Sequence, residues 1–250
     1  MKIAIISDIH GNMQALEAVL DDIRQLNCEK IFCLGDLAMA GPQPNEAIER
    51  IKQLLLDSNF ELIQGNTDEY LAENSVELGE NIKKTNPIMG EAYFADLKVI
   101  KAENIEFLKN IQKDLKINLN SLTVHFVHGS PRANNENIYP GMPIEKVEEM
   151  ISSTDADLIF CGHTHQPCGY QTNTKQTVVN VGSVGRPLSE NPKACYAVLE
   201  LVDGSDEFYV EHRLVDYDKA TAALILNNRG FEGSDKLAQM LITASERYPS

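Results

Sequence analysis

Short apolar segments alternate with longer amphipathic segments along the first third of the chain. The apolar segments KIAII, KIFCL and FELI have the length and composition of buried strands. Between them, residues 13–26 and 46–56 repeat apolar positions at the spacing of a helix. Strands separated by helices of this length are typical of βαβ units, so we expect a parallel sheet in this part of the chain.

The pattern changes beyond residue 68. Residues 68–114 are helical and polar, with Pro87 and Gly90 expected to break the helices, and we interpret this segment as a helical insertion. Further strands are predicted at 117–119, 122–127 and 157–161, and a further helix at 144–151. The strands predicted at 169–171, 177–181, 195–201 and 207–212 follow at short spacing, as in a meander. Two helices, at 217–226 and 234–244 within the region 217–245, close the chain.

These elements predict an α/β fold. A parallel half is followed by an antiparallel half, and helical segments flank both, which favours two facing mixed sheets with helices on both outer sides. We expect a single domain that spans residues 1–250.

Composition and charge narrow the classes of function. The chain has 250 residues, of which 43% are hydrophobic, so it can bury a substantial core. Its formal net charge of −15 argues against an extended nucleic acid as a ligand, because such binding draws on clustered Lys and Arg. No signal-peptide core and no apolar run of membrane-spanning length is found, so we expect a cytoplasmic protein without a membrane partner. The five cysteines lack CxxC spacing, which fits reduced thiols better than disulfides or a thiolate zinc site.

Polar side chains follow five of the predicted strands at the point where each strand ends. They are Asp8 and His10, Asp36, Asn66 and Asp68, His128, and His163 and His165. Ligands of open α/β sheets bind just beyond the carboxyl ends of the strands. One such residue alone could be a helix cap or a turn residue. The same placement at five strand ends predicts a functional site.

The residue types indicate a metal centre. Imidazole and carboxylate groups without thiolates favour ions such as Zn, Mn or Fe. Three carboxylate or carboxamide groups and four imidazoles are too many for one tetrahedral ion, and they suit two ions about 3.5–4 Å apart that share a bridging carboxylate. In Asp8-x-His10 and His163-x-His165, extended backbone would direct both side chains of each pair to the same side, so that both reach one centre.

The ordered series D-x-H, G-D, G-N-x-D, H-G and G-H-x-H resembles the motifs of the calcineurin-like metallophosphoesterases. The likeness is to the compact prokaryotic branch related to phosphodiesterases and Ser/Thr-type phosphatases, and it continues through NVGSVGRPL. The resemblance implies a four-layer α/β/β/α sandwich and attack on phosphorus by a metal-activated hydroxide. It implies that Asp8, His10 and His165 hold one ion, that Asn66, His128 and His163 hold the second, and that Asp36 bridges both. Among these, Asp36, Asn66 and His128 are the residues to which the resemblance gives a catalytic part.

Thr67 departs from the pattern of this family. Many members have a histidine at this position, which is thought to protonate the leaving group, whereas a threonine hydroxyl cannot exchange a proton in the same way at neutral pH. Three alternatives follow: a substrate with a good leaving group, an acid supplied by His125 or by the helical insertion, or a non-catalytic interaction module. Because all seven inferred ligands are present, we favour an enzyme. Phosphodiesters or activated phosphates are slightly favoured, and phosphomonoesters or phosphoproteins stay open.

Four residues are candidates for contact with a small phosphorylated substrate: Asn12, Thr67, Arg132 and Arg186. Either arginine could bind a phosphate oxygen, but a surface ion pair is the commoner role, and the chain offers 37 acidic residues for it. Asn12 could instead belong to a strand-to-helix turn. For Asp68 we expect an orienting role, in which its carboxylate holds the loop or a neighbouring ligand.

Overall fold

Two five-stranded sheets form the centre of the part of the chain that the structure, a computed structural model, describes: residues 1–188, 191–202, 204–205 and 207–245. The expected domain end at residue 250 lies outside the described residues. The strands are β1 (Lys2–Ile6), β2 (Lys30–Cys33), β3 (Phe60–Leu62), β4 (Leu115–Leu119), β5 (Leu122–Phe126), β6 (Leu158–Cys161), β7 (Cys168–Gln171), β8 (Thr177–Asn180), β9 (Ala194–Leu201) and β10 (Phe208–Val215). The strand order is β10-β9-β1-β2-β3 in the first sheet and β4-β5-β6-β8-β7 in the second.

Helices connect and cover these strands. They are α1 (Met13–Gln25), α2 (Pro44–Leu54), α3 (Asn66–Glu73), α4 (Val76–Thr85), α5 (Pro87–Val99), α6 (Ala102–Lys109), α7 (Ile144–Ile151), α8 (Lys219–Asn227) and α9 (Ser234–Thr243). The strands β1, β2 and β3 pair in parallel, and α1 and α2 connect them in turn. The parallel sheet expected from the first third of the chain is therefore confirmed.

The two sheets pack face to face through apolar side chains. Ile5 and Phe32 of the first sheet belong to the same buried cluster as Phe126 and Phe160 of the second. The rings of Phe32 and Phe126 stack with their centroids 4.1 Å apart. Burial of such aromatic and branched side chains stabilises the contact by roughly 1.5–3 kcal/mol per side chain.

Helices cover both outer faces of the sandwich. Residues of α1, α2, α5 and α8 share one core with the outer face of the first sheet. On the outer face of the second sheet, Val147 and Ile151 of α7 pack with Ile159 and Val178. The expected four-layer α/β/β/α arrangement of two facing mixed sheets is confirmed.

The last four strands do not form a meander, so that expectation was wrong. β7 and β8 form a hairpin in the second sheet, where β8 pairs in parallel with β6. β9 and β10 form a hairpin in the first sheet, where β9 pairs with β1. The sequence of β9, ACYAVLEL, is buried along almost its whole length, as is typical of a strand with neighbours on both sides. Short spacing indicates hairpins, but it does not indicate which sheet each hairpin joins.

Pro87 and Gly90 affect the helices differently from each other. Pro87 is the first residue of α5 and therefore separates α5 from α4, which ends at Thr85. Gly90 lies within α5 and does not break it, contrary to expectation. A Cβ at Gly90 would lie 2.4 Å from Cβ of Lys83 on α4, so this glycine permits the two helices to approach closely.

The five cysteines are placed as the expectation of reduced thiols requires. All five cysteines have free thiols, and burial raises the pKa of the Cys195 thiol to about 12, so this thiol stays protonated. Within the described ranges, the helices are too short or too polar to cross a membrane.

Candidate metal centre

The carboxyl ends of the parallel strands of both sheets meet at one edge of the sandwich. β1, β2 and β3 run parallel in the first sheet, and β5, β6 and β8 run parallel in the second. At this edge lie Asp8, His10, Asp36, Asn66, His128, His163 and His165. All of them are buried except His163, which is half-buried. The structure thus brings together the residues that were predicted to bind metal.

Most of these residues have left-handed backbone. The φ angles are 57° at Asp8, 45° at His10, 56° at Asp36, 68° at His163 and 60° at His165. The extended backbone expected for Asp8-x-His10 and His163-x-His165 is therefore wrong. Both pairs lie beyond their strands, since β1 ends at Ile6 and β6 at Cys161. Left-handed backbone at residues other than glycine costs of order 1–3 kcal/mol each, and such strain concentrates at functional sites.

Asp8, His10 and His165 form a first group of candidate ligands. Their ligand atoms all lie within 4.8 Å of one another. His165 Nε2 is 3.1 Å from His10 Nε2 and 3.2 Å from Asp8 Oδ1. Atoms that bind one ion at about 2.0–2.2 Å lie roughly 3–3.6 Å apart, so these distances suit a shared ion.

A second group lies next to the first and shares the carboxylate of Asp8 with it. Ligand atoms of Asp8, Asp36 and His128 also lie within 4.8 Å of one another. Asn66 Oδ1 is 3.0 Å from His128 Nε2, and the ring of His163 packs edge-on against that of His128. Asp36 reaches both groups, because Oδ2 is 3.7 Å from His10 Nε2 and Oδ1 is 3.5 Å from His128 Nε2.

The rings of His163 and His165 contact different histidines. The ring centroid of His165 is 4.9 Å from that of His10, whereas the ring centroid of His163 is 5.3 Å from that of His128. The two rings therefore lie beside different histidines, and the division of His165 and His163 between two ions stays an implication of the family resemblance. The left-handed turn between them, rather than strand periodicity, directs the two side chains.

Three of the site histidines are oriented in the same way. Their Nδ1 atoms lie 2.7 Å from Met39 O for His10, 2.8 Å from Leu34 O for His128 and 2.7 Å from Arg186 O for His165. A carbonyl oxygen can only accept a hydrogen bond, so each Nδ1 donates and each Nε2 faces the carboxylates. Metal-binding histidines are usually fixed in this manner. Among the described residues, buried Asp8 Oδ1 finds no hydrogen-bond donor, so it also retains capacity for a cation. These donors fit divalent metal ions.

Burial and mutual charge shift the pKa values of the site. Burial and the neighbouring His165 lower the pKa of His10 to about 4, and burial and His128 lower that of His163 to about 4. Burial raises the pKa of Asp8, but His165 and His128 outweigh it and bring this pKa to about 2. Burial lowers the pKa of His128, but Asp36 and Asp8 outweigh it and raise this pKa to about 10. A cation between the carboxylates would take the place of the His128 proton, since a metal ligand must be neutral imidazole.

Asp36 is held in place by the start of α3. Its Oδ1 accepts the backbone N–H of Thr67 at 2.8 Å. Asp68 in turn accepts the N–H groups of Asp36 (2.8 Å), Leu37 (2.9 Å) and Gly65 (3.0 Å). A Cβ at Gly65 would lie 2.1 Å from Asp36 Oδ1, so the glycine permits this close approach. Asp68 therefore has the orienting position that was expected for it.

The segment 182–186 contacts two residues of the first group, Asp8 through its backbone and His165 through its ring. Ser183 Oγ and the Gly185 N–H both donate to Asp8 O, each at 2.9 Å. The carbonyl of Arg186 accepts the Nδ1–H of His165. This segment, part of the NVGSVGRPL stretch, therefore connects the turn that carries Asp8 with the turn that carries His165.

Two of the residues predicted to contact substrate, Asn12 and Arg132, are bonded to other parts of the protein. Asn12 caps α1, because its Oδ1 accepts the N–H of Ala15 at 3.1 Å and its Nδ2 donates to Gly185 O at 2.8 Å. These bonds occupy the Asn12 side chain and give it the turn role that was the alternative. The guanidinium of Arg132 contacts Glu136 Oε1 at 2.7 Å and Glu149 Oε1 at 3.3 Å.

Arg186, Thr67 and His125 complete the predicted set. Arg186 is half-buried, its Nη1 lies 3.3 Å from Met89 Sδ, and its charge contributes to the low pKa of His10. Thr67 Oγ1 is buried and finds no hydrogen-bond partner in the described part of the chain. His125 contacts Asp114 Oδ1 at 3.2 Å and Thr154 Oγ1 at 3.1 Å, and these contacts occupy both of its ring nitrogens.

A cavity of about 330 Å³ opens beside the second group. Asn66 and His128 form one end of it. Glu69, Lys113 and Arg132 contribute charged groups to its wall. The volume is at the lower end of the range for small-molecule sites, so the cavity can hold a small organic group.

Two charged residues near the site were missed by the sequence analysis. Asp96 is fully buried in α5, and Arg229 follows α8 and contacts it at 2.7 Å. Asp96 could have been recognised from the sequence, because its carboxylate lies on the face of α5 that also carries buried Ala92 and Tyr93. A carboxylate in such surroundings needs a partner, but the sequence does not indicate that the partner lies 133 residues further along the chain.

A two-sheet sandwich with a buried cluster of aspartates and histidines defines a protein that could hold metal ions at the strand ends. The family model of the calcineurin-like phosphoesterase superfamily domain matches residues 1–204. An uncharacterized protein of Methanocaldococcus jannaschii is 33% identical over 242 residues, which cover 91% of this chain and 93% of that protein. The chain therefore belongs to the calcineurin-like phosphoesterase superfamily.

Solved structures agree with this assignment. A metallophosphoesterase from Sphaerobacter thermophilus is 26% identical with a TM-score of 0.76, covering 98% of this chain and 100% of that chain. A hypothetical protein from Pyrococcus horikoshii has a TM-score of 0.85 at 23% identity, covering 98% of this chain and 99% of that chain, and it supports the fold alone. The protein is an enzyme of the metallophosphoesterase class, a metal-dependent hydrolase of phosphate esters.

Proposed function

We propose that this enzyme uses two divalent metal ions to hydrolyse small phosphodiesters or activated phosphate esters. The observation that carries the proposal is the arrangement of two ligand groups that share Asp8, with Asp36 between them. Three Nδ1-anchored histidines direct Nε2 into the same space. Manganese, iron and zinc all suit such imidazole and carboxylate donors.

The proposed division of ligands follows the family resemblance, and it gives Asp8, which belongs to both groups, to the first ion. Asp8, His10 and His165 would hold the first ion, and Asn66, His128 and His163 the second, with Asp36 bridging both. Bound there, the ions would lower the pKa of a water molecule and neutralise charge on the phosphoryl group. The protein's own part includes keeping two of the imidazoles neutral, which the low pKa of His10 and of His163 supports.

The cavity beside Asn66 and His128 would hold the organic group of the substrate. The Lys113 ammonium in its wall is 2.8 Å from Glu69. Arg132 contacts both carboxylate oxygens of Glu136, and Ser130 Oγ further fixes that carboxylate at 2.5 Å. Because carboxylates pair with both of these cations, the wall offers little surplus positive charge for a second phosphate. This favours substrates whose flanking group is uncharged.

Thr67 supports the same choice of substrate. Its buried hydroxyl occupies the position where many family members have histidine, and it cannot act as an imidazolium acid at neutral pH. His125 does not replace that acid in our proposal, because Asp114 and Thr154 occupy its ring nitrogens. We therefore propose that the leaving group of the natural substrate needs no strong protonation. We also propose a cytoplasmic location, in keeping with the free thiols.

Hydrolysis of bis-p-nitrophenyl phosphate by Mn²⁺-loaded protein tests the proposed reaction. We expect activity in the wild type, and a loss of at least about 10²-fold in Asp36→Asn, since this change removes a charge shared by both ions. Asp22→Asn is the matched control, because Asp22 pairs with Arg213 at 3.0 Å and its loss should leave activity within twofold. Loaded protein that is inert towards monoesters, diesters and dinucleoside polyphosphates would refute the proposal. Greater activity on monoesters would instead establish the phosphomonoesterase alternative.

Glu136→Gln tests the charge of the cavity. The change removes one of the two carboxylates that pair with Arg132, the other being Glu149, so we expect kcat/KM for a dinucleoside polyphosphate to rise by about 2–5-fold, the range of an exposed ion pair. The kcat/KM for bis-p-nitrophenyl phosphate should stay unchanged. Glu106→Gln removes the same charge from an exposed pair with Lys109 and serves as the control. An equal gain in both variants would show that overall charge, rather than Arg132, limits these substrates.

A further inference from the structure

We propose that Asp96 and Arg229 are positioning residues that hold the loop 37–41 against His10, and so orient this candidate ligand. The inference rests on the proposed function of the site as a metal centre. It assigns a role to the helical insertion, which contributes Asp96, and to the segment after α8, which contributes Arg229.

Asp96 anchors the loop through its backbone. Its Oδ2 accepts the N–H of Ala40 at 2.8 Å, and the carboxylate is fully buried. Ala40 has a φ of 63°, a left-handed conformation that costs a residue with a Cβ of order 1–3 kcal/mol. A strained residue persists only where its surroundings impose the conformation, and the carboxylate of Asp96 provides that constraint.

Arg229 anchors the next residue of the same loop. Its Nη1 donates to Gly41 O at 2.8 Å and lies 2.7 Å from Asp96 Oδ1. The guanidinium also lies over the ring of Phe231, 5.3 Å from its centroid. The ion pair therefore contacts two successive residues of the loop, Ala40 through the carboxylate and Gly41 through the guanidinium.

The anchored loop contacts His10 through both side chain and backbone. Met39 O accepts the Nδ1–H of His10 at 2.7 Å, which sets the direction of the ring. Gly41 lies so close that a Cβ would come within 1.4 Å of His10 O. A shift of the loop would therefore move the carbonyl that orients the ring, and Nε2 would lose its direction towards Asp8.

The two carboxylates of the insertion hold opposite ends of one loop. Asp68 in α3 accepts the N–H groups of Asp36 and Leu37, and Asp96 in α5 accepts that of Ala40. Buried ion pairs often add little net stability but fix a geometry, so the Asp96–Arg229 pair is better explained by positioning than by stability alone.

The test compares Asp96→Asn and Arg229→Gln with Asp22→Asn, which breaks an ion pair between α1 and β10. Three quantities are measured: Mn²⁺ affinity by calorimetry, unfolding by denaturant, and the imidazole nitrogen and Nδ1 proton shifts of His10 by NMR on metal-free protein. We expect Asp96→Asn to weaken Mn²⁺ binding by about 10–100-fold, as loss of a group behind a ligand usually does. Arg229→Gln should weaken it less, by about 3–10-fold, because Asp96 retains its bond to Ala40.

The control separates positioning from stability. Asp22→Asn should leave Mn²⁺ affinity within twofold and the His10 signals unmoved, even where its loss of stability equals that of Asp96→Asn. If the wild type binds no Mn²⁺, the proposed function fails, and the His10 shifts in metal-free protein still decide the positioning role. If Asp96→Asn does not fold, Arg229→Gln decides it. Mn²⁺ affinity and His10 shifts that stay at the wild-type values in the folded variants would overturn the proposal.

Discussion

His10, His128 and His165 each use Nδ1 to donate to a backbone carbonyl, which leaves Nε2 directed towards Asp8 and Asp36. Each ring is therefore set in one orientation by the backbone of the protein itself. The left-handed backbone at Asp8 and Asp36 serves the same end, because it turns the carboxylates from the strand ends into the shared space. At the scale of the residue, the site is prepared by main-chain geometry.

Thr67→His tests whether the lack of a histidine at this position, where many family members have one, limits protonation of the leaving group. The new imidazole should raise kcat for phosphate esters with poor, alkoxide-like leaving groups by about 10²-fold, the lower limit for general acid catalysis. Hydrolysis of bis-p-nitrophenyl phosphate should stay within twofold, since p-nitrophenolate leaves without a proton. The measurement is a plot of kcat against leaving-group pKa for both proteins. A uniform change across the series would show that Thr67 affects the site in another way.

At the scale of elements, the βαβ units could be predicted from the sequence, and the strand ends indicated where the candidate ligands meet. Alternation of apolar segments with amphipathic ones predicted β1 to β3, and the polar residues after the strands predicted the candidate ligands. The spacing of apolar residues along the chain could not predict which sheet β9 joins, because an apolar strand fits either sheet. It also could not predict the turns, where φ is set by contacts with distant backbone such as Gly65 on Asp36.

Gly65→Ala tests how closely α3 must approach the loop after β2. Gly65 has a φ of −83°, which alanine adopts freely, so the effect would be steric. A Cβ would lie 2.1 Å from Asp36 Oδ1 and 2.3 Å from Asp36 N. We expect Mn²⁺ affinity and activity to fall by about 10–100-fold.

Gly169→Ala provides the control for this steric effect. A Cβ at Gly169 would come no nearer than 3.9 Å to its neighbours, so this variant should bind Mn²⁺ like the wild type. Gly65→Ala with unchanged affinity would mean that α3 can move away without disturbing Asp36.

At the scale of the whole molecule, the site joins the two sheets. Asp8, His10 and Asp36 come from the first sheet, and His128, His163 and His165 come from the second. Bound ions would therefore connect the halves of the sandwich that otherwise meet through apolar packing. The carboxylates would repel one another if the ions were removed.

Removal of metal should accordingly lower the stability of the fold. At a free Mn²⁺ concentration of about 100 times Kd, one bound ion stabilises the native state by about 2.7 kcal/mol. For a chain of this size, that corresponds to a rise in Tm of roughly 5–10 °C over chelator-treated protein. Calorimetric scans with Mn²⁺ and with EDTA measure the difference. An equal rise in Asp36→Asn would place the stabilising ion elsewhere on the protein.

The most direct test of the central claim is anomalous diffraction from crystals of the Mn²⁺-loaded protein. We predict two peaks about 3.5–4 Å apart on either side of Asp36. One peak should contact Asp8, His10 and His165, and the other Asn66, His128 and His163. A single peak at saturating Mn²⁺, or peaks away from these residues, would contradict the two-metal account.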